Sequence, residues 1–401
     1  MILLHTADWH LGQCFFEYDR SDEHLEFLQW LKAQVCEGGV DALLVAGDVF
    51  DGPNPSAGSQ RMFYRFLREV SSARPGLQTV IIAGNHDSGA RLEAPDPLLE
   101  EMNVTVRGVI KRTPEGEIDY RRLIVPLMAD DGGVAAWCLA VPYLRQGDYP
   151  ESDSYQTGVA RMYERLYGMV EDRSKPIVAM GHLQASGAEV SENDRSERTI
   201  IGGLECISPD CFDGGIAYTA LGHLHRAQRV SGRGNVCYAG SPLPMSFAER
   251  NNRQSVSLVE ITDSGEARVE RIRFQPPRAL LSIPGSPEPP VRVLEEIGLL
   301  PDGEVTLSSP YLEVKALITE PEPSLRYRIE EALKNKPVRL ARIVAFTPGS
   351  DRDIPALSCE ELQSVSPMAV AVDIFRRRYR GEEMPGRMKE LLQNVIREAA
   401  Q

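Results

Sequence analysis

The sequence predicts an α/β fold, and three observations carry that expectation. Five short apolar runs each stop at side chains that can ligate a metal or move a proton. In four of the five, glycine stands between the run and the polar group, where it lets the backbone turn sharply and approach a ligand closely. Helical periodicity fills the gaps between the first three runs.

The elements follow in order. The first run, residues 2–7 of ILLHTADWH, ends in Asp8-Trp9-His10. The opening Met1-Ile2-Leu3-Leu4-His5 lacks a basic region and a long apolar core, so it reads as a strand and not as a signal peptide. A helix follows, with Leu25, Leu28, Leu31 and Val35 on one face and Ser21 or Asp22 as N-cap. The second run, 42–46 in DALLVAGDVFD, ends in Gly47-Asp48, with Asp51 beyond. Met62, Phe66, Leu67 and Val70 mark a second helix. The third run, 80–83 in TVIIAGNHD, ends in Gly84-Asn85-His86-Asp87. The fourth, 177–180 in PIVAMGH, ends in Gly181-His182. The fifth, 217–221 in AYTALGHLH, ends in Gly222-His223-Leu224-His225. Ligands in such folds bind beyond the carboxyl ends of the strands, so all five endings are expected to converge at one edge of a sheet.

Composition narrows the class. With 401 residues, 42% hydrophobic and 25% charged, the chain suits one large or two ordinary globular domains. No apolar run approaches the ~18 residues of a membrane span. Seven scattered cysteines without a CxxC pair favour free thiols in a reducing cytoplasm. A net charge of -14 argues against simple electrostatic wrapping of nucleic acid, so such a partner would need a local patch, metal ions or another subunit.

Five of the seven histidines (positions 10, 86, 182, 223 and 225) sit at run ends, beside Asp8, Asp48 and Asn85. His5 and His24 have no such company and are expected to be structural. A nitrogen and oxygen ligand set without sulfur disfavours a closed structural zinc site and suits Mn²⁺, Fe²⁺ or Zn²⁺ in open positions. Seven ligands are too many for one ion; two ions ~3.5–4 Å apart sharing a carboxylate fit better, with Asp48 as the bridge. His86 is then spare. A histidine near its ordinary pKa can protonate a leaving alkoxide. Asp51 could accept a hydrogen bond from His86; a turn or helix N-cap role is the equal alternative. Asp87 is expected to be a turn residue.

This ordered set resembles the calcineurin-like metallophosphoesterase superfamily. Four further stretches, HTADWHLGQ, VAGDVFD, LGHLHRAQ and YAGSPLPMSFAE, resemble its SbcD-type nuclease subunits, which work with the SMC-like ATPase SbcC in DNA break repair. The resemblance covers residues 1 to about 250 and implies a calcineurin-like α/β sandwich. It implies one ion on Asp8, His10, Asp48 and His225, and another on Asp48, Asn85, His182 and His223. It also implies His86 as catalytic acid, Mn²⁺ as the metal, and exonuclease action on duplex DNA with endonuclease action on single strands or hairpins. A homodimer within a heterotetramer with the ATPase is implied as well. Asp51 departs from part of the family, where some relatives carry histidine. A phosphatase or cyclic phosphodiesterase acting on small phosphoesters is the alternative, although no arginine flanks the aspartate and asparagine motifs to grip a monoester.

The Pro-rich residues 275–290 set a domain boundary near 278. Beyond it, a strand over 311–318, a helix over 323–335 and a strand over 338–346 make a small β-α-β capping domain, 279–350. Residues 351–401 carry terminal helices: Ser366-Pro367 opens one, and 386–401 forms an amphipathic second, either folded back or docked on the ATPase. Arg226, directly after His225, is the DNA contact to test; Arg61, Arg65, Arg68, Arg229 and Arg233 are weaker candidates. The helix with Phe63, Tyr64, Phe66 and Leu67 is plain core or a two-fold interface.

Overall fold

This computed structural model describes residues 1–129, 131–189, 206–320, 322–347, 368, 371, 372, 375 and 384–399. They belong to two compact units, Met1–Pro348 and Gly349–Gln401.

The first unit opens with β1 (Ile2–Thr6), the short pair β2 (Cys14–Phe15) and β3 (Tyr18–Asp19), helix α1 (Ser21–Glu37), β4 (Ala42–Ala46), helix α2 (Ala57–Ala73), β5 (Gln78–Ile82) and β6 (Val104–Arg107). There follow β7 (Ile124–Met128), β8 (Val134–Ala140), β9 (Ile177–His182), β10 (Ile216–Gly222), β11 (Gln228–Val230), β12 (Arg233–Tyr238), β13 (Ser255–Ile261) and β14 (Ala267–Arg273). One six-stranded sheet runs β14-β13-β1-β4-β5-β6 and a second runs β11-β12-β10-β9-β8-β7. The strands β1, β4, β5 and β6 are parallel, as are β8, β9, β10 and β12.

Alternation along the strands sorts the core into layers. Leu4, Leu43, Val45 and Ile81 face α1 and α2. Their neighbours Leu3, Leu44, Val80 and Ile82 face the other sheet, where they meet Cys138, Val178, Met180 and Ala220. On the far side Leu139, Ala179 and Leu221 pack on Val159, Met162 and Leu166 of the helix Tyr155–Met169. The result is a helix-sheet-sheet-helix sandwich. Strands buried on both faces are apolar nearly throughout, which is why they read as runs.

Three local expectations are corrected. The five polar endings belong to two sheets, not one: β1, β4 and β5 lie in the first, β9 and β10 in the second. The N-cap of α1 is Arg20, whose side chain makes no cap; Asp19 Oδ1 accepts from the Ser21 amide instead. The buried face of α1 is His24, Phe27, Leu28, Leu31 and Val35, while Leu25 is exposed. On α2, Phe63, Phe66 and Leu67 are core and Tyr64 is half-buried.

Beyond residue 278 the chain forms β15 (Leu280–Glu288), the helix Pro290–Gly298, β16 (Tyr311–Leu317), the helix Leu325–Leu333 and β17 (Arg339–Phe346). The sheet is parallel, in the order β15-β16-β17, so the expected β-α-β unit is β-α-β-α-β. The missed strand lies inside the Pro-rich stretch. An edge strand tolerates proline because one side needs no ladder donors, and β15 is an edge with a register shift between Ile283 and Glu288. Val293, Ile297, Leu312, Val314 and Ile329 give this sheet its own core. In the second unit a helix spans Gly386–Ala399. The Ser366-Pro367 helix start lies outside the described residues.

Candidate metal centre

Parallel register brings the run ends level. Thr6 pairs with Val45, Ala46 with Ile82, and Gly222 with His182, so the residues that follow meet where the two sheets face each other. The backbone there is strained. Asp8, His10, Asp48 and His223 have φ of 54°, 46°, 48° and 99°, a region that side chains avoid unless the surroundings impose it. Gly84 is required by space: a Cβ there would run into Asp48 Oδ1 and the Asp48 amide.

Asp48 is the hub. Its Oδ2 lies 3.2 Å from His182 Nε2 and 3.7 Å from His10 Nε2, and its Oδ1 accepts from the His86 amide at 2.9 Å. Two groups have ligand atoms all within 4.8 Å of one another: His10, Asp48 and His86; and Asp8, Asp48 and His182. Asn85 Oδ1 is 2.9 Å from His182 Nε2 and 3.1 Å from His223 Nδ1. Asp8 Oδ1 accepts from the His223 amide at 2.8 Å. The rings of His10 and His225 stand 5.3 Å apart, as do those of His182 and His223. All seven residues expected as ligands are thus brought together, and His86 joins them, its ring 4.8 Å from that of His10.

The cluster fits cations. Asp8 Oδ2 and His10 Nε2 are buried without a hydrogen-bond partner among the described residues, an arrangement costly unless an ion completes it. His182 Nδ1 donates to the Ala46 carbonyl at 2.8 Å, so it is Nε2, facing the acceptors Asn85 Oδ1 and Asp48 Oδ2, that must carry a proton or meet a cation. Acceptors converging on acceptors call for a positive charge between them.

Electrostatics agree. Burial pushes the Asp8 carboxyl up to about 6 despite the imidazoles of His182 and His225. Burial works to raise Asp48 too, but His182, His10 and His86 hold it well below the usual carboxylate range. Burial would lower His182; the Asp48 and Asp8 carboxylates outweigh it and lift the imidazole to about 10. In the metal-free protein a proton on His182 therefore supplies charge that a cation would otherwise bring.

Two expected roles take a more specific form. His86 Nδ1 donates to the main-chain carbonyl of Asp51 at 3.0 Å, while the half-exposed Asp51 carboxylate lies 3.5 Å from His10 Nδ1. Asp51 does not cap α2; Ser56 does. Asp87 lies in the bend after β5 and does more than turn the chain: it is buried and accepts from the Val49, Phe50 and Gly84 amides at 3.1, 3.0 and 2.9 Å, tying the third strand's loop to the second's. Glu249 was not anticipated at all. Its Oε1 lies 3.1 Å from His225 Nδ1. The hint was its place at the end of YAGSPLPMSFAE, yet nothing in spacing ties it to a residue 24 positions earlier.

His5 is confirmed inside β1, buried, with Nδ1 on the Tyr218 hydroxyl at 2.8 Å. His24 is buried in α1. Arg226 is exposed and ion-paired with Glu189; Arg65 and Arg68 pair with Glu69, and Arg233 with Asp210. The six described cysteines are free thiols. No helix among the described residues is long and apolar enough to cross a membrane.

Comparison with known proteins gives the family. Residues 1–227 match the calcineurin-like phosphoesterase family, and residues 276–383 match the family described as type 5 capsule protein repressor C-terminal domain. The SbcD subunit of the SbcCD nuclease from Rhodobacter capsulatus is 35% identical, over 94% of each chain. Its counterpart from Escherichia coli K12 is 29% identical over 99% of this chain and 97% of its own. The SbcD subunit of Bacillus subtilis is 31% identical over 68% of this chain and 69% of its own. A solved structure, TT1561 of Thermus thermophilus, overlaps with a TM-score of 0.35 at 13% identity, covering 67% of this chain and 98% of that one. The chain belongs to the calcineurin-like phosphoesterase family, a family of metal-dependent hydrolases, and within it to the group of SbcD subunits of SbcCD nucleases.

Proposed function

We propose that the chain is a two-metal DNA phosphodiesterase, and the observation that carries this is Asp48 standing in both metal-capable groups. One ion would be held by Asp8, His10, Asp48 and His225, the other by Asp48, Asn85, His182 and His223. The sulfur-free donor set suits Mn²⁺. Such ions would supply a water of lowered pKa and positive charge for an in-line displacement. The chain's own part is geometric and acid-base. The His86 amide is pinned to Asp48, and its Nδ1 donates to the Asp51 carbonyl. In this reading Nε2 is the atom that would protonate the leaving alkoxide. The Asp51 carboxylate, beside His10 Nδ1, would orient that ring. Arg226 would meet a phosphate on giving up Glu189.

The substrate reading is a 3'-5' exonuclease on duplex DNA and an endonuclease on single strands and hairpins. The relatives' names support a partnership with an SbcC-type ATPase. In this reading residues 1–278 are the nuclease domain, 279–350 the cap and 351–401 the docking segment, whose helix exposes Met388 and Leu391. A homodimer within a cytoplasmic heterotetramer completes it. The purified chain, incubated with linear duplex and hairpin DNA in Mn²⁺, Mg²⁺ or EDTA, tests the reading. Mn²⁺-dependent cleavage should vanish in Asp48→Ala with loss of metal uptake. It should fall about 10²–10⁴-fold in His86→Ala with both ions still bound. Turnover of small phosphodiesters with DNA left intact in the presence of the ATPase would favour the small-phosphoester alternative.

A further inference from the structure

Resting on the two-metal reading, we propose that Glu249 is a positioning residue for His225, and that its hold depends on the docking of the three-stranded β15-β16-β17 unit through Phe247. Glu249 is buried and lies in the short 3-10 helix Phe247–Asn251. Both its oxygens are engaged: Oε1 with His225 Nδ1 at 3.1 Å, Oε2 with the Met245 amide at 2.9 Å. A carboxylate only accepts, so it keeps the proton of His225 on Nδ1 and leaves Nε2 as the ligating lone pair. The amide fixes the carboxylate, and the carboxylate fixes the ring.

The C-terminal sheet packs against this helix through Phe247. Phe247 is fully buried two residues before Glu249 and packs with Phe15 and Tyr311. The ring centroids of Phe15 stand 5.3 Å from Phe247 and 4.8 Å from Tyr311. Tyr311 begins β16, and its hydroxyl donates to Glu23 Oε1 at 2.8 Å. From β17, the Arg342 guanidinium lies 5.3 Å over the Phe247 ring. Arg342 of β17 thus meets directly the residue that precedes Glu249 by two positions, and Tyr311 of β16 reaches it through Phe15. A shift of that sheet would reach a metal ligand through Phe247, Glu249 and His225 without touching the other ligands.

The test is Mn²⁺ titration by calorimetry on the full chain, with electron paramagnetic resonance to separate one-ion from spin-coupled two-ion species. Glu249→Gln should weaken one of the two ions about 10–100-fold and leave the other unchanged. Glu249→Asp, which keeps the charge, should recover part of the loss. Phe247→Ala should weaken the same ion in the same direction, and Phe247→Leu less. Circular dichroism and melting of the metal-free variants identify any that fail to fold, and for these the Asp and Leu substitutions carry the test. Two unchanged ions in folded Glu249→Gln overturn the positioning role. Weakening in Glu249→Gln but in neither Phe247 variant overturns the link to the sheet. A wild-type chain that takes up no second ion removes the two-metal reading itself, which is a separate failure.

Discussion

His24 will make the protein acid-labile, and His24→Leu will relieve it. The ring is buried in α1, and neither nitrogen has a hydrogen-bond partner among the described residues. Burial, with the nearby Arg20 and His10, lowers its pKa from 6.5 to about 3. The sign follows from proton counting. Between pH 6.5 and 3 the unfolded chain holds a proton on this residue that the folded chain does not, so stability falls as pH falls. Between pH 7 and pH 5 the loss is about 2 kcal/mol. Leucine cannot titrate, so the stability difference between His24→Leu and wild type should grow by that amount over the same interval. Urea unfolding of both proteins at pH 7, 6 and 5, in a chelator, measures it. Subtraction cancels the groups the two proteins share, including His5, whose pKa burial also lowers to about 3. A difference that stays flat from pH 7 to 5 would mean that His24 is protonated in the folded protein, and would refute the reasoning.

Two more outcomes follow from the centre. Gly84→Ala drives a Cβ into Asp48 without removing any ligand, so it should abolish uptake of both ions while α2 and the two sheets remain folded; retention of metal affinity near the wild-type value would show that the loop can give. Mn²⁺ uptake should release protons, because His182 is held near 10 in the metal-free protein and must shed its proton to ligate. Affinity should therefore rise with pH between 6 and 8, about tenfold per unit for each proton displaced. Calorimetry in buffers of differing ionisation enthalpy measures the release, and a pH-independent affinity would contradict it.

Much of this protein was legible in the chain itself. Unbroken apolar runs ending at Asp8, Asp48, Asn85, His182 and His223 announced parallel strands and the chemistry at their ends, because strand periodicity and ligand type are local properties. The number of sheets was not local. Whether β9 joins β5 or faces it across a core depends on Val80 and Ile82 meeting Val178 and Met180, contacts between residues about a hundred positions apart. Separation along the chain, shorter in these cases, also hid Glu249 behind His225, and the partner chosen by the Asp51 carboxylate. It hid Asp87 as well, which reads as a turn until its carboxylate is placed against the Val49 and Phe50 amides. The strand β15 was lost among prolines because only its position at the edge of a sheet makes them harmless. Sequence by itself determined which groups could hold a metal. Tertiary structure decided which residues aim them, since aim comes from second partners brought in by packing and not by spacing along the chain.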